Sequence, residues 1–164
     1  MLYVLLGIIL AGQKQKLIQV MDIKQLAIEI SNKCVASQVR QLNRSVSRIY
    51  DDRLRPHGLT ISQFTILIAI ANLGEVSPQT IGSTLNLEKS TLSRGLERMI
   101  KKEWLRACYS EGGRVKTIAL TEAGRKQIIE ASHSWAKAQE QVEQVIKHTD
   151  VSTLFNITSS MNKQ

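Results

Sequence analysis

Ser77-Pro78 opens a stretch whose punctuation leaves the chain little choice of fold. Residues 77–103 read SPQTIGSTLNLEKSTLSRGLERMIKKE, and residues 104–120 read WLRACYSEGGRVKTIAL. Ser77 is a natural N-cap, and Pro78 suits the first helical position, where its missing N–H costs nothing. Ile81 and Leu85 are expected to point inward from this short helix, with Asn86 or Leu87 in the turn that follows. A second helix is predicted from about Glu88 to Lys102, with Leu92, Leu96, Met99 and Ile100 as its buried stripe. Two strands come next, near Leu105–Tyr109 and Val115–Leu120. Glu111-Gly112-Gly113 joins them, and glycine there is free to take positive φ. Two short helices at a tight turn, followed at once by a hairpin, make a helix-turn-helix with a wing.

The second helix is polar on a separate face. Ser90, Ser93, Arg94, Glu97 and Lys101 recur at i, i+3, i+4, i+7 and i+11. That face begins at the helix N-terminus, where free N–H groups favour phosphate, and its first residues are small enough for close approach. Such a helix is suited to a DNA major groove. The hairpin tip, Gly112-Gly113-Arg114, is placed to probe an adjacent minor groove.

Charge follows the same segment. The chain of 164 residues carries a net charge of +8. From Asn86 to Lys116 it has eight cations (Lys89, Arg94, Arg98, Lys101, Lys102, Arg106, Arg114, Lys116) against Glu88, Glu97, Glu103 and Glu111, half of the whole surplus. A cationic stripe of this kind is the footprint of a polyanionic partner; a solvated helix face is the plain alternative.

The remainder reads as helical. Aromatics are 4% and prolines only 2, which disfavours an all-β fold. One helix is predicted over about Asp22 to Arg55, stopped by Pro56 and Gly58. Val35, Val39, Leu42, Val46 and Ile49 step by 4, 3, 4, 3 along it, a heptad-like seam or an ordinary core-facing stripe. The next helix starts at Thr60 or Ser62, shows Phe64, Leu67, Ile68 and Ala71 on one face, and ends at Gly74. Thr121 caps a long helix whose Ile128, Ala131, Trp135, Ala138, Val142 and Val145 step by 3, 4, 3, 4, 3. Lys147-His148 is expected near its end, and Asp150 is expected to cap a last short helix holding Val151, Leu154, Phe155 and Ile157.

The fold class is therefore mainly α with a small β-hairpin wing: a winged helix-turn-helix flanked by N- and C-terminal dimerisation helices. Residues 21–58 form the N-terminal dimerisation helix, 59–120 the winged region and 121–164 the C-terminal dimerisation helices of a single domain. Spare apolar seams at both ends are most simply buried in a second copy, giving a homodimer that presents two helices to a pseudo-palindromic duplex. Residues 1–20 are read as an upstream extension with Met21 as the true start, or else as an extra helix on the dimer. Their apolar run, Leu2–Ala11, is shorter than the ~20 residues a bilayer span takes and lacks the basic flank of a signal peptide. No membrane association is expected. Cys34 and Cys108 form no CxxC pair, which fits a reducing cytoplasm.

Taken in order, LRPHGLTISQFTILIAI (54–70), SPQTIGSTLNLEKSTLSRGLERM (77–99), the wing ending in Arg114 and LTEAG (120–124) resemble the MarR family of transcriptional regulators. The resemblance covers residues 31–148. It implies a dimeric winged-helix protein that binds palindromic operators in double-stranded DNA, usually as a repressor, and is released by a small-molecule effector or an oxidant. It implies that Ser90, Thr91, Ser93 and Arg94 read bases or phosphates in the major groove, joined by the cations Lys89, Arg98 and Lys116. Arg114 is implied to enter the minor groove, where charge alone exploits a narrow A·T-rich tract, or to contact phosphate. Family wings commonly carry Asp two residues before this Arg; here Gly112 holds that position, with Glu111 beside it.

Effectors in the family bind between the dimerisation helices and the winged region, where Tyr50, His57 and Trp135 are candidate lining residues or plain core. A thiol sensor using Cys34 is the alternative. Some relatives place a reactive Cys near the start of the first long helix, but counted back from Tyr50, Cys34 falls about two residues early, a rotation of ~200° on a helix. An enzyme is not expected: the chain has no P-loop, GxGxxG, HExxH or GxSxG. His57, His133 and His148 show no metal-ligand spacing, and no cofactor is implied. A winged helix used only for protein contacts would need no basic, small-residue face on its second helix.

Overall fold

The computed structural model describes residues 22–113, 115–146 and 148–161. The expectation for residues 1–20 lies outside the described residues, as does that for Arg114. By internal packing the chain divides into residues 1–44 and 45–164.

In the first unit, α1 spans Ile23–Lys33 and α2 begins at Val35, running on to Leu54. The single helix expected over 22–55 is thus broken at Cys34, whose backbone is extended at φ −72° and ψ 99°. Neither Pro nor Gly marks the break. Its backbone groups are satisfied on both sides, which is what makes it tolerable. The Cys34 N–H donates to the Ile30 carbonyl, closing α1, and its own carbonyl accepts from Ser37 and Gln38, opening α2. The Gln38 side-chain amide donates to the Asn32 carbonyl at 3.1 Å.

The second unit follows the predicted order. After Leu54 the chain makes a turn of 3-10 helix, Arg55–His57, with Pro56 inside it, and Gly58 takes the left-handed region at φ 65°. α3 spans Ile61–Leu73 behind a capping box: the Thr60 hydroxyl accepts from Gln63 N–H while the Gln63 side chain accepts from Thr60 N–H. α4 spans Pro78–Leu85 with Ser77 as cap, and Asn86, left-handed at φ 50°, makes the tight turn into α5, Lys89–Lys101. β1 (Leu105–Tyr109) and β2 (Val115–Leu120) pair antiparallel, Leu105 opposite Leu120, with an irregularity between Cys108 and Tyr109. α6 spans Glu122–Val145 and α7 spans His148–Met161. Asp150 therefore lies inside the first turn of α7, not ahead of it; a carboxylate is favoured at either place, so the same residue signals both.

Leu54, Leu67, Ile70, Ile81, Met99 and Ile118 are fully buried and draw α2, α3, α4, α5 and β2 onto one core. Truncating any one to Ala is expected to cost about 2–5 kcal/mol. α3 is the centre of this core and has no single apolar face. Phe64, Ile66, Leu67, Ala69 and Ile70 are all buried, whereas Ala71 is exposed, because α4, β2 and α6 each pack on a different side. The long seam on α6 also differs from expectation. Ala131, Ala138 and Val142 are buried within this chain's own core, and Ile128 packs against it; Val145 is 74% exposed. Periodicity located the apolar face, and the covering surface turns out to be mainly the same subunit.

Candidate nucleic-acid interface

Leu92, Leu96 and Met99 anchor α5 in the core. Gly95 faces α3 so closely that a Cβ would come within 3.3 Å of Ile66 Cδ1, and a Cβ on Gly82 of α4 would meet Leu92 at 3.4 Å. Gly95 thus marks the tight approach of α5 to α3, which the sequence pattern did not reveal, whereas a Cβ on Gly82 would make an ordinary contact.

The opposite face of α5 is solvent-exposed at Lys89, Ser90, Thr91, Ser93, Arg94, Glu97, Arg98 and Lys101. All six reading residues predicted on this helix are thus brought onto one open surface. Arg94, itself exposed, donates through Nε to the Ser90 carbonyl at 3.2 Å, which props the guanidinium along the helix. Ser93 Oγ donates to Glu97 Oε1 at 3.2 Å. Glu88, the N-cap, makes no side-chain capping bond, so the first-turn N–H groups of Lys89 and Ser90 stay open to an acceptor such as phosphate. Among the described residues, no carboxylate forms an ion pair with Lys89, Arg94, Arg98, Lys101 or Lys116.

Lys102 is different. Its Nζ donates to the Gly58 carbonyl at 2.7 Å and lies 4.3 Å from the centre of the Trp104 ring. This cation locks the end of α5 to the turn after α2 and is used up structurally.

The wing is held at its base by an acidic clasp. Glu75 accepts from Arg106 of β1 at 3.2 Å through Oε2 and from Thr117 of β2 at 2.7 Å through Oε1. Val76 pairs with Ile118 through two backbone bonds of 2.8 and 2.9 Å, adding a one-residue third strand. At the tip, Gly113, at φ 71°, donates to the Ser110 carbonyl at 2.9 Å. Lys116 is exposed on β2.

The three residues expected to line an effector site engage other side chains of the same subunit. The Tyr50 hydroxyl donates to Gln139 Oε1, and Gln139 Nε2 donates to Glu143 Oε1 at 2.8 Å. Burial, and then the nearby Glu143 carboxylate, hold the Tyr50 phenol above its ordinary range. His57 Nε2 is 2.9 Å from Ser134 Oγ, and its carbonyl accepts from Gln127 Nε2 at 2.6 Å. Trp135 stacks on Phe64 with ring centres 6.4 Å apart. They join α6 to α2, to the turn and to α3, and a hollow in the winged unit lies elsewhere, lined in part by Ile70, Arg106 and Arg125. Cys34 is half-buried at the helix break, and Cys108 is exposed on the wing. Among the described residues, no group of three His, Cys, Asp or Glu could hold a metal, and no helix is long and apolar enough to cross a membrane.

Two short helices, α4 and α5, at a tight turn, backed by a clasped hairpin, define a winged helix-turn-helix. Residues 57–114 match the family model described as MarR family. The chain is 27% identical over 111 residues to the uncharacterized HTH-type transcriptional regulator YwoH of Bacillus subtilis, covering 68% of this chain and 81% of that protein. It is similar in structure to the transcriptional regulator MosR of M. tuberculosis, solved in complex with DNA, at a TM-score of 0.69 and 27% identity over 80% of this chain and 95% of the other. A mutant of E. coli MarR complexed with operator DNA has the same fold at a TM-score of 0.69 and 18% identity, over 80% and 96% of the two chains. The winged region, residues 57–114, is thus similar to the MarR family, and the chain shares the fold of its solved members.

Proposed function

We propose that this protein is a cytoplasmic transcriptional regulator that binds double-stranded DNA sequence-specifically as a homodimer. It works without chemistry, most simply as a repressor released by a small-molecule effector. One observation carries the reading: α5 is anchored by a buried stripe and turns an open face of hydroxyls and unpaired cations outward, beside a basic wing. Ser90, Thr91, Ser93 and Arg94 would meet base edges and phosphates; Lys89, Arg98 and Lys116 would meet phosphates; Arg114 would reach the minor groove. MosR of M. tuberculosis, solved with DNA, supports the same reading.

Dimerisation is supported by apolar side chains left in solvent. Ile23, Ile28, Ile30, Val35 and Val39 are each more than half exposed on α1 and the start of α2, as are Val145 and Met161 near the other end. A second copy would remove such surface from water. An effector would shift the spacing of the two reading helices and so lower affinity.

Anisotropy binding to a labelled duplex from the gene's own upstream region, at two salt concentrations with random competitor, tests the function. Nanomolar binding that survives competitor and weakens steeply with salt is expected. No binding at low salt overturns it.

A thiol switch at Cys34 is the alternative, favoured by one feature: the thiol sits where two helices part, so an adduct there would act on the break. Alkylation of Cys34 that leaves any peroxide response unchanged ends that reading.

A further inference from the structure

The exposed face of α5 divides into two strips. At about 100° per residue, Ser90, Ser93 and Glu97 fall within about 60° of one another, and Arg94, Arg98 and Lys101 form a second group beside them. Cations line one flank; the other carries hydroxyls and the one carboxylate of α5. Glu97 is exposed, turned away from the buried Leu92, Leu96 and Met99. Arg94, Arg98 and Lys101 are its neighbours on the helix, yet among the described residues Glu97 forms no ion pair. It holds a hydroxyl instead: Ser93 Oγ donates to Glu97 Oε1 at 3.2 Å. That bond commits the one hydroxyl proton of Ser93, which keeps only lone pairs to offer, and an ionised carboxylate accepts without donating. The two side chains together make a patch that only accepts hydrogen bonds.

We propose that the Ser93–Glu97 pair is a specificity element that selects a cytosine in each half-site of the duplex, a role that rests on the DNA-binding function proposed above. Phosphates repel a carboxylate whatever the sequence, so Glu97 lowers affinity everywhere except where a base edge compensates it. The donors in the major groove are the amino groups of cytosine and adenine; guanine and thymine offer acceptors there. Against O6 and N7 of guanine, or O4 of thymine, an acceptor-only patch meets lone pairs with no proton between them. Adenine places N7, an acceptor, beside its amino group, whereas the edge of cytosine itself presents the amino group alone, so the carboxylate favours cytosine. The flank of Arg94, Arg98 and Lys101 supplies an attraction that any duplex satisfies. The Ser93–Glu97 strip withholds it from the wrong bases.

Selection of the full-length protein on a randomised duplex library, read by sequencing, tests the role, with affinities for the selected and random duplexes measured beside it. The wild type is expected to enrich a motif with a cytosine in each half-site. Glu97→Ala is expected to lose the preference for that base by at least about fivefold, while its affinity for random duplex holds or rises because a repelled charge is gone. Glu97→Gln keeps the shape and can pair with N6 and N7 of adenine, so it is expected to move the preference at that position from cytosine to adenine. Glu130→Gln, which removes the same charge from α6, is expected to leave the motif unchanged. A Glu97→Ala motif equal to that of the wild type at every position overturns the assignment and leaves the DNA-binding function standing. So does an equal loss of affinity on selected and random duplex, the mark of a merely structural role. A wild type that enriches no motif overturns sequence-specific binding itself, and this assignment with it.

Discussion

A Cβ placed on Gly124 would lie 2.1 Å from the carbonyl oxygen of Trp104. That carbonyl already accepts from Thr121 N–H at 3.1 Å, and Thr121 Oγ1 accepts from Gly124 N–H at 3.0 Å. The start of α6 is thus pressed against the turn between α5 and β1, with the glycine as the point of contact. Gly124→Ala must move backbone, and overpacking of this kind costs about 1–3 kcal/mol. A thermal melt should show the midpoint falling by roughly 2–4 °C for each kcal/mol lost. An unchanged midpoint would show that the contact relaxes freely.

Glu103 sits one residue past the end of α5 in the left-handed region at φ 59°. Its N–H donates to the Ile100 carbonyl and the Trp104 N–H to the Met99 carbonyl, the paired bonds that usually close a helix on glycine. Here a side chain bears that conformation. Glu103→Gly relieves the strain and is expected to stabilise the protein by about 0.5–1 kcal/mol after the greater unfolded-state freedom of glycine is subtracted. Urea denaturation at constant slope measures it.

Much of this fold was legible because its signals are local. Ser77-Pro78, Thr60 or Ser62, and Thr121 announce three helix starts, of which the structure takes Thr60 for the second, and Gly112-Gly113 announces the hairpin. The exposed polar face of α5 was legible because its period is independent of what it touches. What escaped depends on partners distant in sequence. Cys34 breaks a helix with no breaker residue, Glu103 takes a glycine's conformation, and Glu75 clasps Arg106 and Thr117 from 31 and 42 residues away. The α6 seam shows the limit most clearly: spacing marked Ala131, Ala138 and Val142 as apolar-facing, and only the packed chain says that its own core covers them.

Tyr50 links stability to pH at the alkaline end. Burial first, then Glu143, raise its phenol above the ordinary value of 10.0 in the folded protein. The folded state therefore holds this proton longer than the unfolded chain does. The associated stability is complete below that ordinary value and is lost as pH rises through the folded one. Tyr50→Phe removes the hydroxyl that donates to Gln139, at a cost of about 0.5–1.5 kcal/mol near neutrality. Denaturation midpoints taken from pH 7 upward should show the deficit of the variant shrinking above about pH 10. A deficit constant with pH would mean that the phenol does not titrate differently in the two states.

Arg94 and Arg114 separate the two halves of the proposed interface. Arg94 stands on the open face of α5, braced through Nε on the Ser90 carbonyl. Its replacement by Ala should weaken operator binding by at least about tenfold, ~1.4 kcal/mol. If the lost contact is to phosphate, the slope of log affinity against log salt falls by about one and random DNA suffers equally; if it is to a base edge, discrimination falls instead. Arg114→Ala is likewise expected to cost at least about tenfold, ~1.4 kcal/mol. A minor-groove role makes that loss greatest on operators with an A·T-rich flank, where the groove is narrow and most negative. The same loss on every flank assigns Arg114 to the phosphates, and no loss at all removes the wing tip from recognition.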